Sequence, residues 1–211
     1  MRRLWYRLVA FGFRLLYNEL AWLYDPVSWL VSKGLWRRWQ RTALAYLPAA
    51  GTVLEVGFGP GHLLADLATA GYRPVGLDLS PAMLRQARRR GLALRLCRGR
   101  AEALPFAPGI FDAVVLTFPT PFAYDPAWLR HSQRVLKPGG RLVVVEMTSF
   151  QKRTTQTRLL EWLFRITGQR GPAPDLLGLL IATGLSAERQ QVQVEDTRVS
   201  LVLAEKPGAP Q

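Results

Sequence analysis

Short apolar runs alternating with helical patterns, a glycine-rich turn between the first run and its helix, and a carboxylate closing the second run predict one α/β domain. Its sheet is mostly parallel and covered by helices on both faces, because the runs are continuously apolar instead of alternating. At 211 residues, with 49% hydrophobic and 20% charged, the chain is long enough to bury a core and is not of disordered composition.

The first fifth stands apart. Through Thr42 it holds eight basic residues (Arg2, Arg3, Arg7, Arg14, Lys33, Arg37, Arg38, Arg41) against Glu19 and Asp25, a surplus of six out of a net +13. Five of the seven tryptophans lie there too: Trp5, Trp22, Trp29, Trp36 and Trp39. A basic start followed by an apolar run raises a signal peptide, but Arg7 and Arg14 interrupt the run and no small-residue cleavage site follows. A transmembrane span fails on the same charges. At 100° per residue Arg3, Arg7 and Arg14 share a narrow stripe, opposite Leu4, Trp5, Leu8, Val9, Leu15 and Leu16. This reads as an amphipathic helix that lies in a membrane interface, or packs on the domain or a second copy. The tryptophans favour the interface.

From Gly51 the pattern is regular. Thr52–Val56 is a strand, followed by a glycine loop and a helix from His62 to Ala70. Pro74–Asp78 is the second strand, Ala82–Arg90 a helix and Leu92–Cys97 the third strand. Phe111–Thr117 is the fourth, Pro126–Leu136 a helix and Arg141–Met147 the fifth. Thr155–Thr167 and Pro174–Thr183 read as helical, Val192–Glu195 and Arg198–Ala204 as closing strands, and Pro207–Gln211 as a tail. The division is residues 1–50 as a helical, basic, Trp-rich segment and 51–211 as the α/β unit. The lone Cys97 forms no internal disulfide, no Cys/His metal spacing exists, and a reducing, cytoplasmic setting fits.

The chemistry begins at Glu55-Val56-Gly57-Phe58-Gly59-Pro60-Gly61. Glycines there let the backbone take positive φ and let a ligand approach bare main chain, with the helix amides behind. Nicotinamide and flavin proteins place G-x-G-x-x-G at the same point. Here the spacing is G-x-G-x-G, with His62 where a third dinucleotide glycine would stand. Glu55 is suited to an ammonium group and would repel a pyrophosphate, and no second mononucleotide-binding half follows. Asp78, seventeen residues after Gly61 at a strand end, is placed to accept both hydroxyls of a ribose. The alternative, an N-cap, falls more naturally to Ser80 before Pro81.

These segments resemble the class I S-adenosylmethionine-dependent methyltransferases, most of all the subgroup of quinone-biosynthesis and small-molecule or lipid enzymes. The resemblance rests on Glu55–Gly61, on Gly76–Leu84, on Arg100–Phe106 followed by Phe111–Val114, and on Arg134–Leu142. Fainter is Tyr17-Asn18, Ala21 and Tyr24-Asp25, so that it runs from about Tyr17 to Pro207. It implies a Rossmann-like, seven-stranded, mostly parallel sheet whose last strand is antiparallel, under an N-terminal helical lid. The implied cofactor is S-adenosylmethionine, leaving as S-adenosylhomocysteine. Glu55 would orient the glycine loop or face the methionine ammonium, and Gly57, Phe58, Gly59 and Gly61 would form the methionine end. Asp78 would hold the ribose, Leu79 and Met83 the adenine face, and Ala101 and Glu102 its edge. Thr117 and Phe118 would sit beneath the sulfonium, and Tyr24 would cover the methionine end. Arg100 departs from the family, which usually has an acid there; arginine cannot accept a hydrogen bond. Glu102 or a backbone carbonyl takes over, or packing and the Ala101 amide hold the ring.

No catalytic residue follows. His62 lies near the cofactor loop as a contact, His131 on a solvated helix face, and Cys97 in strand packing. Thr117-Phe118-Pro119-Thr120 is not the Asn/Asp-Pro-Pro-aromatic segment of nucleic-acid amino methyltransferases. Glu146, Thr148 and the insertion Gln151–Gly171 are candidates for shaping the acceptor pocket. Three functions are thereby set out: methylation of a small-molecule or lipid-like acceptor at an anionic membrane surface, methylation of RNA or DNA, and a binding or scaffold protein without turnover. The apolar face opposite the arginines suits lipid better than nucleic acid.

Overall fold

The computed structural model describes residues 11–12, 15–91, 95–119, 121–151, 157 and 174–208. Seven strands form one sheet: β1 (Thr52–Val56), β2 (Arg73–Asp78), β3 (Arg95–Arg98), β4 (Phe111–Thr117), β5 (Leu136–Phe150), β6 (Ser186–Val194) and β7 (Thr197–Glu205). Their order is β3-β2-β1-β4-β5-β7-β6. The first five are mutually parallel, and β7 runs antiparallel to both β5 and β6. Strand order reverses between β1 and β4, so a crevice opens beyond their carboxyl ends.

Helices α3 (His62–Thr69), α4 (Pro81–Arg89), α5 (Pro126–Val135) and α6 (Leu176–Ala182) pack on the sheet, preceded by α1 (Tyr24–Ser32) and α2 (Trp36–Arg41). One face of the sheet buries Leu54, Val56, Leu77, Leu116 and Val144 against Trp128 and Leu129 of α5 and Leu176 and Leu180 of α6. The other buries Val53, Ala113, Val115, Val143 and Leu201 against Trp39 of α2 and Leu63 and Leu67 of α3. Both faces being dry explains the unbroken apolar runs. Trp39 is fully buried, and its indole N–H donates to Thr197 Oγ1 at 2.8 Å, so the large ring costs no orphaned donor.

Several boundaries differ from the sequence reading. β5 starts at Leu136, where α5 ends, because Phe111 pairs with Leu136 before the Lys137–Gly140 turn. β6 is longer than Val192–Glu195. It is an edge strand whose exposed positions carry Glu188, Gln191 and Gln193, a polar pattern without an apolar signature. β3 begins at Arg95, and Cys97 is half-buried on that edge strand instead of packed in the core. The helix expected at Thr155–Thr167 lies outside the described residues, apart from Thr157, as does most of the amphipathic segment 1–16. Of its apolar face, Leu16 packs with Tyr17 against Ala21, Tyr24, Ala82 and Met83. Among the described residues no helix is long and apolar enough to cross a membrane.

Candidate functional site

The loop after β1 is shaped by three left-handed glycines, Gly57 (φ 70°), Gly59 (φ 56°) and Gly61 (φ 84°). They serve different ends. A Cβ on Gly61 would come within 2.9 Å of the Ala87 Cβ, so this glycine lets α3 and α4 pack. A Cβ on Gly57 or Gly59 would meet no protein atom within 4 Å. That stretch is bare main chain facing open space, the cradle a ligand needs.

A carboxyl group stands at each end of the cradle. Asp78, the last residue of β2, accepts from the Gly59 amide at 2.9 Å and from the Ser80 amide at 2.8 Å. These amides leave part of the carboxylate's lone-pair capacity open to a vicinal diol. Burial raises its pKa, while the amides of Ser80, Gly59 and Leu79 pull it back. The N-cap of α4 is Ser80, whose hydroxyl accepts from the Met83 amide at 3.2 Å, so Asp78 has no capping duty.

Glu55 is fully buried, and neither of its oxygens meets hydrogen-bond geometry with any partner. Its pKa is raised well above the glutamate range, first by burial and then by the charges of Asp78 and Asp66; the Leu64 amide is the one influence that favours the carboxylate. A buried acid without a partner is expensive, and a cation or donor in the cradle would relieve that cost.

The cover is built from the N-terminal helices. Tyr24 is buried against Ala82 and Met83, its ring 5.5 Å from that of Tyr17. Its hydroxyl donates to Tyr17. Tyr24 therefore sits over the start of α4, within electrostatic reach of Asp78. Asp25 reaches the glycine loop: one oxygen is 2.8 Å from His62 Nε2 and the other 2.7 Å from Arg90, whose Nε donates to the Pro60 carbonyl at 2.8 Å. The His62 hydrogen bond is the largest influence lowering the Asp25 pKa. This latch of Asp25, His62 and Arg90 went unseen in the sequence, where Arg90 lies 65 residues from Asp25. Ser80 Oγ adds a bond to the Tyr17 carbonyl.

Other expected residues fall as follows. Phe58 is buried among Leu64, Leu84 and Ala87, so only its main chain borders the cradle. Leu79 is exposed at the rim, and Met83 is buried beneath Tyr24. Ala101 and Glu102 form a short 3-10 turn, where Arg100 and Glu102 pair at 3.2 Å. Thr117 ends β4 beside Gly57, since Val56 pairs with Leu116. Phe118 follows in the left-handed region (φ 50°), unusual for an aromatic residue and held by its amide on the Val145 carbonyl at 2.8 Å. His131 Nδ1 is bonded by Arg134, which also reaches the Phe106 carbonyl at 2.7 Å, so this histidine braces a loop. Glu146 is taken by Arg189 at 3.1 Å and Ser200 at 3.3 Å. Among the described residues no cluster of three His, Cys, Asp or Glu could hold a metal ion.

Comparison with known proteins agrees with this geometry. A family described as a methyltransferase domain matches residues 53–140. The chain is 41% identical over 140 residues to the demethylmenaquinone methyltransferase of Thermus thermophilus, covering 62% of this chain and 64% of that one. With the enzyme of the same name from Renibacterium salmoninarum it shares 35% over 153 residues, covering 71% and 65%. It thus spans just under two thirds of the length of these curated relatives. By fold it matches phosphoethanolamine N-methyltransferase 2 of Haemonchus contortus in complex with S-adenosyl-L-methionine (TM-score 0.63, 16% identity, 82% of this chain and 53% of that one). It also matches an S-adenosylmethionine-dependent methyltransferase of Methanosarcina mazei (TM-score 0.57, 22% identity, 80% and 98%). Strand order, glycine loop and relatives converge: the chain has the fold of these methyltransferases, matches a methyltransferase-domain family over residues 53–140, and resembles the demethylmenaquinone methyltransferases in sequence.

Proposed function

We propose that this chain transfers a methyl group from S-adenosylmethionine to a small, quinone-like acceptor presented at a membrane surface. The observation that carries the cofactor is the cradle itself: open main chain at Gly57 and Gly59 between a partnerless carboxyl, Glu55, and a strand-end carboxylate held by backbone amides, Asp78. When bound, the sulfonium supplies the methyl group for an in-line displacement. The protein's part is to hold, orient and keep out water. Glu55 receives the ammonium, Asp78 the ribose diol, and Leu79, Met83, Ala101 and Glu102 surround the adenine; Tyr24 and the segment through residue 50 act as the lid. No dedicated base is assigned. The acceptor class rests on the names of the relatives.

The membrane part is supported by the outer face of the lid, where Trp22, Trp29 and Leu30 are 69%, 65% and 69% exposed. Lys33 follows on the same helix end. Such a face suits the interfacial region of an anionic bilayer, which supports the reading that the protein works on the inner, cytoplasmic side of one. For nucleic acid the match is poorer: Arg37 and Arg41 face Asp66, and Arg38 faces Glu195.

The test is labelled methyl transfer to reduced demethylmenaquinone in anionic vesicles, with S-adenosylhomocysteine measured as product. Turnover supports the reading. Absence of cofactor binding at millimolar concentration would defeat it in favour of a scaffold, and incorporation into RNA or DNA instead would replace the acceptor class. Failure of the chain to float with the vesicles would remove the membrane part alone.

A further inference from the structure

Besides Glu55, one other described side chain is buried with a partnerless oxygen: Gln40, 8% exposed, through its Oε1. Gln40 lies on α2, one turn after Trp36. Its Nε2 donates to Thr117 Oγ1 at 3.1 Å, at the carboxyl end of β4. The next residue is the left-handed Phe118, whose ring centre is 4.2 Å from that of Trp36 and 6.2 Å from that of Trp39. Trp39 is tied to Thr197, whose hydroxyl in turn donates to the Val194 carbonyl at 2.6 Å, which anchors α2 on the sheet.

The elements join into one wall. Trp36 and Gln40, four residues apart on one helix, both face the end of β4. In the wall the Trp36 and Phe118 rings pack on one another, both only partly buried, beside the partnerless Gln40 oxygen. Thr117 borders Gly57 through the β1–β4 register, so this wall adjoins the methionine end of the cradle. Nothing in the cofactor's assigned contacts uses Gln40. A buried acceptor of this kind is retained where a ligand supplies the missing donor.

We propose that Gln40 Oε1 receives the hydroxyl hydrogen of a planar aromatic acceptor lying against Trp36 and Phe118, and thereby selects ring compounds that carry a free hydroxyl. This rests on the methyltransferase reading for the identity of the neighbouring cradle. It adds a residue that fixes which way the ring faces. A site built to pair a ligand hydroxyl rejects the analogue lacking it, because its own polar group is then stranded.

The experiment is a pair of binding titrations by calorimetry, on the full chain with S-adenosylhomocysteine present and under reductant. The probes are 1,4-dihydroxynaphthalene and 1,4-dimethoxynaphthalene. The wild type should bind the diol about tenfold more tightly, a gap of one hydrogen bond. Gln40→Leu should bind the two alike, with S-adenosylhomocysteine affinity unchanged, and Trp36→Ala should weaken both probes while keeping their ratio. If Gln40→Leu melts early, Gln40→Met reads the same ratio in a longer side chain. No preference in the wild type, a preference for the dimethoxy compound, an unchanged preference in the Gln40 variants, or no binding of either probe would each overturn the proposal. Methyl transfer is scored separately. Turnover without Gln40-dependent selectivity refutes this inference and spares the function, and selectivity without turnover does the reverse.

Discussion

Replacing Glu55 by leucine should make the protein more stable and worse at holding its cofactor. In the free chain both Glu55 oxygens are buried without partners. One stranded buried polar group costs about 1–3 kcal/mol. Removing it should raise the melting temperature by roughly 2–12 °C, taking about 2–4 °C per kcal/mol for a chain of this size. The gain should depend on pH. The folded carboxyl holds its proton more firmly than the unfolded one, so wild-type stability is fully present below the ordinary glutamate value of about 4.3 and is lost as pH rises through the raised folded value. The gap between variant and wild type should therefore widen from acid toward neutral pH. With S-adenosylmethionine added the order should reverse. Losing a hydrogen bond to a charged group, about 1.5–3 kcal/mol, weakens binding roughly 10- to 150-fold. Scanning calorimetry with and without cofactor, between pH 4 and 8, measures both effects. A Glu55→Leu protein that melts below the wild type, or binds the cofactor equally well, would refute the reasoning.

Three other outcomes are expected. Asp78→Asn puts an amide where two backbone N–H groups and a diol need acceptors, and S-adenosylhomocysteine affinity by calorimetry should fall roughly 10- to 150-fold. Ser80→Ala removes the N-cap of α4 and should lower the melting temperature by about 2–4 °C, from about 1 kcal/mol. Asp25→Asn breaks the latch to His62 and Arg90; amide exchange in residues 21–32 should quicken, while global stability moves by no more than about 1 kcal/mol because the pair is partly solvated.

The parallel half of the fold was legible because its strands are dry on both faces: Phe111–Thr117 matches to the residue, and Thr52–Val56 likewise. β6 was half-missed for the opposite reason, since an edge strand carries its polar side chains where water is. In the site, local features read well. The glycine loop, Asp78 and the Ser80 cap all show themselves within a few residues. At Phe58 the sequence did not show which part of the residue faces the cradle: Gly57 and Gly59 on either side face open space, while its own side chain turns into the core with Leu64 and Ala87. The Asp25–His62–Arg90 latch and the Gln40–Thr117 contact join residues 28 to 77 positions apart, and nothing local announces such pairs.

Between α1 and α2 the backbone passes through two consecutive left-handed residues, Lys33 (φ 54°) and Gly34 (φ 78°). Everything after that point is bolted down: Trp39 and Ala43 are part of the sheet's own core. Among the described residues before it, α1 rests on α4 and on the ionic cluster at Asp25, and Ser32 ties it to α2 by accepting from the Trp36 amide at 3.0 Å. The roof over the cradle and the wall beside it are thus joined through a two-residue left-handed turn that Ser32 clamps, so the shape of one is passed to the other.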